Sequence, residues 1–354
     1  MAKVHLLYAV LNWGLGHASR SAPLIRSMRE RGYQVSLASD GAALEWLREE
    51  FPELKTYPLP AYDIHYSRWL PAQWAVALQA PRIASVAAAE QRCLRKILKQ
   101  EEFTALLSDN RLGCYSAQLP CVYLSHQFQL AAGAWTGMAS FFHKLYWRKF
   151  QALAIPDTLD GDLAGRLGQF STDPGKPVFR LGPLSHLAWG PMKRVAQRKR
   201  IVAILSGPEP QRSVLEASLL SQMKALPDYE WHLVRGVPAR EPAPGAPGLV
   251  CYDRLGSVAL RELLATAELV ISRSGYSSIM DYAELGMPAL LVPTPGQGEQ
   301  EYLARYHREK GHAHAVGQEE LDLARDIPRA LEGSAWPARG GGDREALFRF
   351  LEGE

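Results

Sequence analysis

Apolar residues in this chain fall into short unbroken runs separated by stretches of helical spacing, the alternation that builds βαβ units. Val4 to Val10 (VHLLYAV) is the first run, and a run this short and continuous suits a strand buried on both faces of a parallel sheet. Helical spacing follows from about Ala18 to Arg31, with Pro23 in its first turns and Gly32 closing it. Tyr33 to Ala38 is expected as a second strand, Leu44 to Glu50 as a helix, and Leu54 to Leu59 as a third strand. A long helical region covers Ala72 to Gln100, and further strands are expected at Thr104 to Leu107 and Cys121 to Leu124. The alternation restarts with strand Ile201 to Leu205, a helix to about Leu226, and strands Trp231 to Val234 and Leu249 to Tyr252. It ends with strand Leu269 to Ile271, a helix with apolar Ile279, Tyr282, Ala283 and Leu285 closed by Gly286, and strand Ala289 to Val292 stopped at Pro293. The pattern predicts an α/β protein with two Rossmann-like domains, each built on a parallel sheet with right-handed crossovers.

From Pro156 to Leu184 the composition shifts to Asp, Gly and Pro, which reads as the crossing between domains. The expected domains are 1–180 and 181–335, with a tail 336–354 in which Gly340 to Gly342 precede a last helix, Asp343 to Leu351. A length of 354 residues is enough for two such domains. With a formal net charge of only +3, nothing calls for a nucleic-acid partner. Cys93, Cys114, Cys121 and Cys251 lack C-x-x-C spacing and read as reduced thiols. The chain begins without a secretory pattern and holds no apolar run of membrane-span length, so a cytoplasmic protein, at most peripheral to a membrane, is expected.

Candidate chemistry clusters where the expected strands end. The turn Ser272-Arg273-Ser274-Gly275 leads into a helix, whose N-terminus presents unsatisfied N–H groups and partial positive charge to an anion. Asp281 lies on that helix, and Gln300-Glu301 lie in a loop beyond the next strand, at the end where open α/β sheets bind ligands. In the first half, Gly14-x-Gly16-His17 joins the first strand to the first helix. Its glycines let backbone approach a ligand, although many such turns need glycine for tight geometry alone. His17 is either a base, with an ordinary pKa of ~6.5, or a helix-terminal cap. Asp109 ends a strand on the same sheet edge and either orients that imidazole or caps the turn beside Asn110.

Three further patterns were weighed. Gly14-x-Gly16, with Asp40 closing the second strand at the ~20-residue offset of a ribose ligand, allows an NAD-dependent oxidoreductase, but Ser19 stands where the third glycine belongs. Asp160-Gly161-Asp162 has the D-x-D form of metal-dependent transferases, but its Pro/Gly-rich setting reads as a turn. Between 128 and 150, Trp135, Phe141, Phe142, Tyr146 and Trp147 mingle with His143, Lys144, Arg148 and Lys149. This mixture suits either a surface that meets lipid headgroups or a helix with aromatics in the core and cations in solvent.

The stretch from Leu269 to Glu301, LVISRSGYSSIMDYAELGMPALLVPTPGQGEQE, resembles the nucleotide-sugar motif of GT-B glycosyltransferases, most closely the MurG-like enzymes of glycosyltransferase family 28. The resemblance implies two Rossmann-like domains facing across a cleft. It also implies inverting transfer of a hexose from a UDP-sugar to an acceptor hydroxyl, with no cofactor and no essential metal. A lipid-linked or glycolipid acceptor is one expected class. On this basis Arg273, Ser274 and Gly275 face the nucleotide, Asp281 binds ribose hydroxyls, and Gln300-Glu301 meet the donor sugar. Asp281 stands for the usual Glu and Glu301 for a second Gln, which leaves N-acetylglucosamine and other hexoses open. Ser206-Gly207 through Arg212 corresponds to the glycine-rich turn that touches the diphosphate. Pro208 and Pro210 remove N–H donors there, and Arg212 is expected to replace the lost charge. Gly14, Gly16 and His17 resemble the first-domain loop of MurG-like and UGT-like members, and His17 with Asp109 resembles the His–Asp base pair of the UGT-like kind. An epimerase or UDP-sugar-binding subunit of the same fold is the remaining reading.

Overall fold

The computed structural model describes residues 4–63, 79–130, 136–189, 194–237, 248–333, 335–337 and 342–354. The chain divides into two compact units, Met1–His186 with Gly340–Glu354, and Leu187–Arg339.

In the first unit the elements run β1 (His5–Val10), α1 (Gly16–Glu30), β2 (Gln34–Ser39), α2 (Gly41–Glu50), β3 (Thr56–Pro58), α3 (Ala80–Gln100) and β4 (Ala105–Asp109). They continue with β5 (Cys121–Leu124), α4 (Thr136–Trp147), β6 (Ala152–Ile155) and β7 (Val178–Arg180). The strands form one parallel sheet in the order β3-β2-β1-β4-β5-β6-β7. Their unbroken apolar runs follow from this: β1, β4, β5 and β6 are buried at every position. Strand order reverses between β1 and β4, where the register sets Val10 opposite Asp109.

The second unit repeats the plan. It runs β8 (Arg200–Ile204), α5 (Gln211–Met223), β9 (Glu230–Val234), β10 (Leu249–Tyr252), α6 (Ser257–Thr266) and β11 (Leu269–Ser272). Next come α7 (Tyr276–Leu285), β12 (Ala289–Leu291), α8 (Gly298–Glu309), β13 (His314–Ala315) and α9 (Leu323–Gly333). The parallel order β10-β9-β8-β11-β12-β13 reverses between β8 and β11. In doubly wound sheets such a reversal leaves a crevice at the strand carboxyl ends, because neighbouring loops depart to opposite faces.

The last helix, α10 (Arg344–Glu352), is capped by Asp343, which accepts from the Ala346 N–H at 3.1 Å. It packs on the first unit: Arg31 pairs with Glu345 and Glu352, and the Tyr33 hydroxyl donates to the Phe348 carbonyl at 3.2 Å.

The 156–184 stretch is not a crossing between domains. It belongs to the first unit, contains β7, and folds around Asp157, whose carboxylate accepts the N–H groups of Thr158, Leu163 and Ala164 at 2.7, 2.9 and 3.0 Å. Its Asp, Gly and Pro residues serve that loop, and Gly161 between the two D-x-D aspartates turns with φ +77°. Gln300 and Glu301 also differ from expectation, because they lie in the first turn of α8 and not in a loop. Strands β6, β7 and β13 went unread because runs of two to four residues carry little periodicity. The expected positions 72–78 of the long helix, Trp135, and Gly340 and Gly341 lie outside the described residues.

Candidate active site

β1 delivers the chain to the switch point of the first sheet, and the loop after it turns with Gly14 at φ +76°, a conformation that favours glycine. Gly16 then opens α1, so His17 sits in the helix's first turn; no side-chain cap bond is made there. The imidazole Nδ1 lies 2.9 Å from Asp109 Oδ1 on the neighbouring strand, and only 14% of the His17 side chain is exposed. One turn further along α1, Arg20 Nε donates to Asp109 Oδ2 at 2.8 Å, and its Nη2 donates to Oδ1. The Ser21 hydroxyl adds a bond to Oδ2 at 3.1 Å. Asp109 therefore orients side chains; its carboxylate is not a cap for the turn beside Asn110.

Electrostatics assign the protons. Burial alone would raise the Asp109 pKa, but the Arg20 charge, with hydrogen bonds from Arg20 and His17, outweighs it and holds the carboxyl well below the usual range. Nδ1 of His17 lies 2.9 Å from both Asp109 Oδ1, which accepts, and Arg20 Nη2, which donates; with the proton on Nδ1 and bonded to the carboxylate, Nε2 keeps its lone pair. The imidazole's own pKa is lowered, first by burial and then by the Arg20 charge, so it is neutral near pH 7. That is the protonation state a general base requires. Arg20 Nη1 also donates to His126 Nδ1 at 2.8 Å, which brings the segment after β5 into the same network.

A second buried cation stands beside the first. Arg111, fully buried, donates to Asp40, to Glu90 at 2.8 Å, and to the Val10 and Pro60 carbonyls at 2.8 and 2.9 Å. Asn12 Nδ2 donates to the other Asp40 oxygen at 3.0 Å. Asp40 is thus committed to Arg111 and Asn12, and the oxidoreductase reading loses its ribose ligand.

The switch point of the second sheet is built from main chain. β11 ends at Ser272, and Gly275 (φ −70°, ψ 142°) is the N-cap of α7 without a side-chain cap bond. The first-turn N–H groups of Tyr276, Ser277 and Ser278 therefore lack intrahelical acceptors. A Cβ placed on Gly275 would meet nothing within 4 Å, so the turn is open. Ser274 donates to the Gln300 carbonyl at 2.8 Å and ties the start of α7 to α8. Asp281 is 7% exposed on α7. The Ser206-Gly207 turn after β8 is exposed and stands beside Thr294. Gly207 has φ +102°, and a Cβ there would lie 3.5 Å from the Thr294 hydroxyl, which is buried and has no hydrogen-bond partner.

The two arginines of this unit exchange their expected parts. Arg212 does not offer an open charge: it donates to Glu209 at 2.5 Å, to Glu216 at 2.9 Å and to the Ser213 hydroxyl at 2.8 Å. Arg273 is 1% exposed and meets only neutral acceptors. These are the carbonyls of Gln211 (2.7 Å), Val292 (3.2 Å) and Pro293 (3.1 Å), and Gln318 Oε1 (2.7 Å). Burial lowers its pKa to about 10, which leaves it charged at neutral pH. Gln300 spends its side chain on the Thr294 N–H (2.9 Å) and Gln297 Oε1 (2.7 Å), and exposed Glu301 accepts from the Gly296 N–H at 2.8 Å. Both fasten the 294–297 loop to α8.

In the 128–150 segment the aromatics divide. Trp147 and Phe128 are buried at 3% and 4%, whereas Phe141, Phe142 and Leu145 on α4 are exposed at 59%, 55% and 45%. No helix among the described residues is long and apolar enough to cross a membrane. None of the described His, Cys, Asp and Glu residues form a group of three or more that could hold a metal ion.

Two parallel α/β units, each with its polar groups gathered at a switch point, are the architecture of GT-B glycosyltransferases, and the chain has that fold. Its residues 257–335 match the glycosyltransferase family 28 C-terminal domain. It is 22% identical over 323 residues to the UDP-N-acetylglucosamine–N-acetylmuramyl-(pentapeptide) pyrophosphoryl-undecaprenol N-acetylglucosamine transferase of Staphylococcus aureus (strain bovine RF122 / ET3-1), a match covering 87% of this chain and 85% of that one. The spinosyn rhamnosyltransferase SpnG has the same fold, with TM-score 0.70 and 18% identity over 99% of this chain and 100% of that one. MurG of Acinetobacter baumannii shares it at TM-score 0.57 and 14% identity over 99% and 100% of the two chains.

Proposed function

We propose that this enzyme transfers a hexose, N-acetylglucosamine or a close relative, from a UDP-sugar to an acceptor hydroxyl with inversion at the anomeric carbon. The reading rests on one observation above others: α7, inside the family 28 match, begins with an uncapped, open turn. Amides of that turn, with those of Ser206-Gly207, would hold the diphosphate, and Asp281 would accept from the ribose hydroxyls. Gln300 and Glu301 border the same loop and stand nearest to a role in sugar choice.

Chemistry at the acceptor falls to the first unit. His17 Nε2 takes the acceptor hydroxyl proton as that oxygen bonds to the anomeric carbon and the bond to the UDP oxygen breaks. Asp109 keeps Nδ1–H pointed at itself and stabilises the imidazolium that forms. Gly14 and Gly16 allow the acceptor to approach the backbone. The diphosphate leaves on amide donors, so the reading needs no metal, and excess EDTA should leave the rate unchanged. The Staphylococcus relative's name gives a lipid-linked acceptor, and the exposed Phe141, Phe142 and Leu145 suit contact with a membrane surface at which such an acceptor is presented.

The test is UDP release from UDP-N-acetylglucosamine, UDP-glucose and UDP-galactose, with polyprenyl-linked and glycolipid acceptors. Acceptor-dependent release with one donor, lost in both His17→Ala and Asp281→Ala, is expected. Release that needs no acceptor, or that survives both substitutions, would overturn the reading.

A further inference from the structure

The first unit holds a cavity of about 370 Å³ bounded by α3, the chain leaving β4 and the end of α4. None of its lining residues belongs to either switch-point site. Small side chains, Ala84, Ala87 and Ala88, make its floor. Gly113 sits so close to α3 that a Cβ there would lie 2.1 Å from the Ala87 carbonyl oxygen. Gln91 Nε2 then donates to the Tyr115 carbonyl at 2.9 Å, which fixes the loop wall against the helix. These contacts make a built cavity, not a gap between mobile side chains.

Its charge is one-sided. Arg92, Arg95 and Lys149 line it and no carboxylate does. The acidic residue of this part of α3, Glu90, is turned away and fully buried against Arg111, Tyr62 and the Gly113 N–H. Arg92 and Arg95 are exposed, lie three residues apart on one helical face with Ala88 and Gln91, and make no ion pair or hydrogen bond among the described residues. Lys149 lies over the rings of Tyr115 and Tyr146, 4.9 and 5.1 Å from their centres, and both hydroxyls are without partners among the described residues. Unpaired cations this close together repel one another, and the repulsion is relieved by an anion that reaches them jointly.

We propose that this cavity binds a phosphomonoester. Two guanidinium groups at helical i, i+3 spacing suit the oxygens of a dianionic phosphate, with Lys149 and the tyrosine hydroxyls completing its shell. The volume leaves room for the alcohol that bears the phosphate. The same chemistry occurs in a soluble glycerol or sugar phosphate and in the headgroup of phosphatidic acid. Phe142 lies one turn from Tyr146 on α4 and is exposed, so an acyl chain would find apolar surface beside the cavity mouth.

Binding of glycerol 3-phosphate to the full chain by calorimetry, and of phosphatidylcholine vesicles with and without phosphatidic acid by sedimentation, tests the proposal. Saturable binding that Arg92→Gln/Arg95→Gln weakens by at least about tenfold is expected. UDP affinity should stay unchanged, so a failure here is separable from a failure of the transferase reading. Loss confined to the soluble ligand names a soluble source, and loss confined to phosphatidic acid vesicles names a membrane source. Two results would overturn it: no saturable binding of either probe, or equal binding to phosphatidylglycerol vesicles, whose phosphodiester brings charge without the monoester.

Discussion

The two units solve the same topological problem with opposite materials. At the first switch point the polar groups are side chains, and the cations are matched by acids: Arg20 with Asp109, Arg111 with Asp40 and Glu90. At the second, the open groups are backbone amides, Arg212 is neutralised by Glu209 and Glu216, and buried Arg273 meets only carbonyl and amide oxygens among the described residues. A proton carrier needs a fixed tautomer and a neutral resting state, which matched charges provide. A diphosphate cradle needs positive potential that no internal carboxylate has already consumed. The difference fits the proposed division of work, with proton transfer in the first unit and anion binding in the second.

Substitutions can break this contrast. The largest expected effect is on catalysis: His17→Ala should lower kcat by about 10²–10⁴-fold while UDP affinity stays unchanged. Equal losses in rate and in UDP binding would erase the division of labour. Asp109→Ala removes the partner of a buried guanidinium, and such a loss costs about 3–5 kcal/mol of stability. Urea denaturation should show that drop, and a variant as stable as the wild type would mean that the network is not what holds α1 to β4.

Smaller effects sharpen the second half of the comparison. Asp281→Ala should weaken UDP by about 10- to 100-fold, the loss of about 1.5–3 kcal/mol for a hydrogen bond to a charged group. Arg212→Gln should leave UDP affinity within about twofold, since its charge is already paired with Glu209 and Glu216. A tenfold loss would restore it to the phosphate site. The pH profile offers the finest discrimination. On the proposed mechanism activity needs neutral His17, whose pKa is lowered by burial and Arg20. The acid limb of kcat/KM should then have its midpoint below pH ~6.5, the ordinary imidazole value. A midpoint above that value would mean that Asp109, not burial, controls the imidazole.

Much of this was readable before any coordinates. Strand Cys121–Leu124 falls where its apolar run predicts, because a strand buried on both faces shows its length directly. The glycine turns and the His17–Asp109 pair were legible from strand ends alone, since a parallel sheet sends all of them to one edge. Arg20–His126 and Arg111–Asp40–Glu90 were not, because the contacts join residues far apart in the chain and neither partner has a local pattern. The pairing of Arg212 was not legible for a related reason: an arginine beside a turn looks the same whether an acid or a carbonyl awaits it. Asp157 shows the same limit, for its loop reads as a linker until the three amides it gathers are seen.

The most direct measurement is a crystal structure of the full chain with UDP. The pyrophosphate should lie on the amides following Gly275 and beside Gly207, with the ribose hydroxyls on the Asp281 carboxylate. A nucleotide bound in the first unit near His17 and Arg20, with the α7 turn left unengaged, would contradict the assignment.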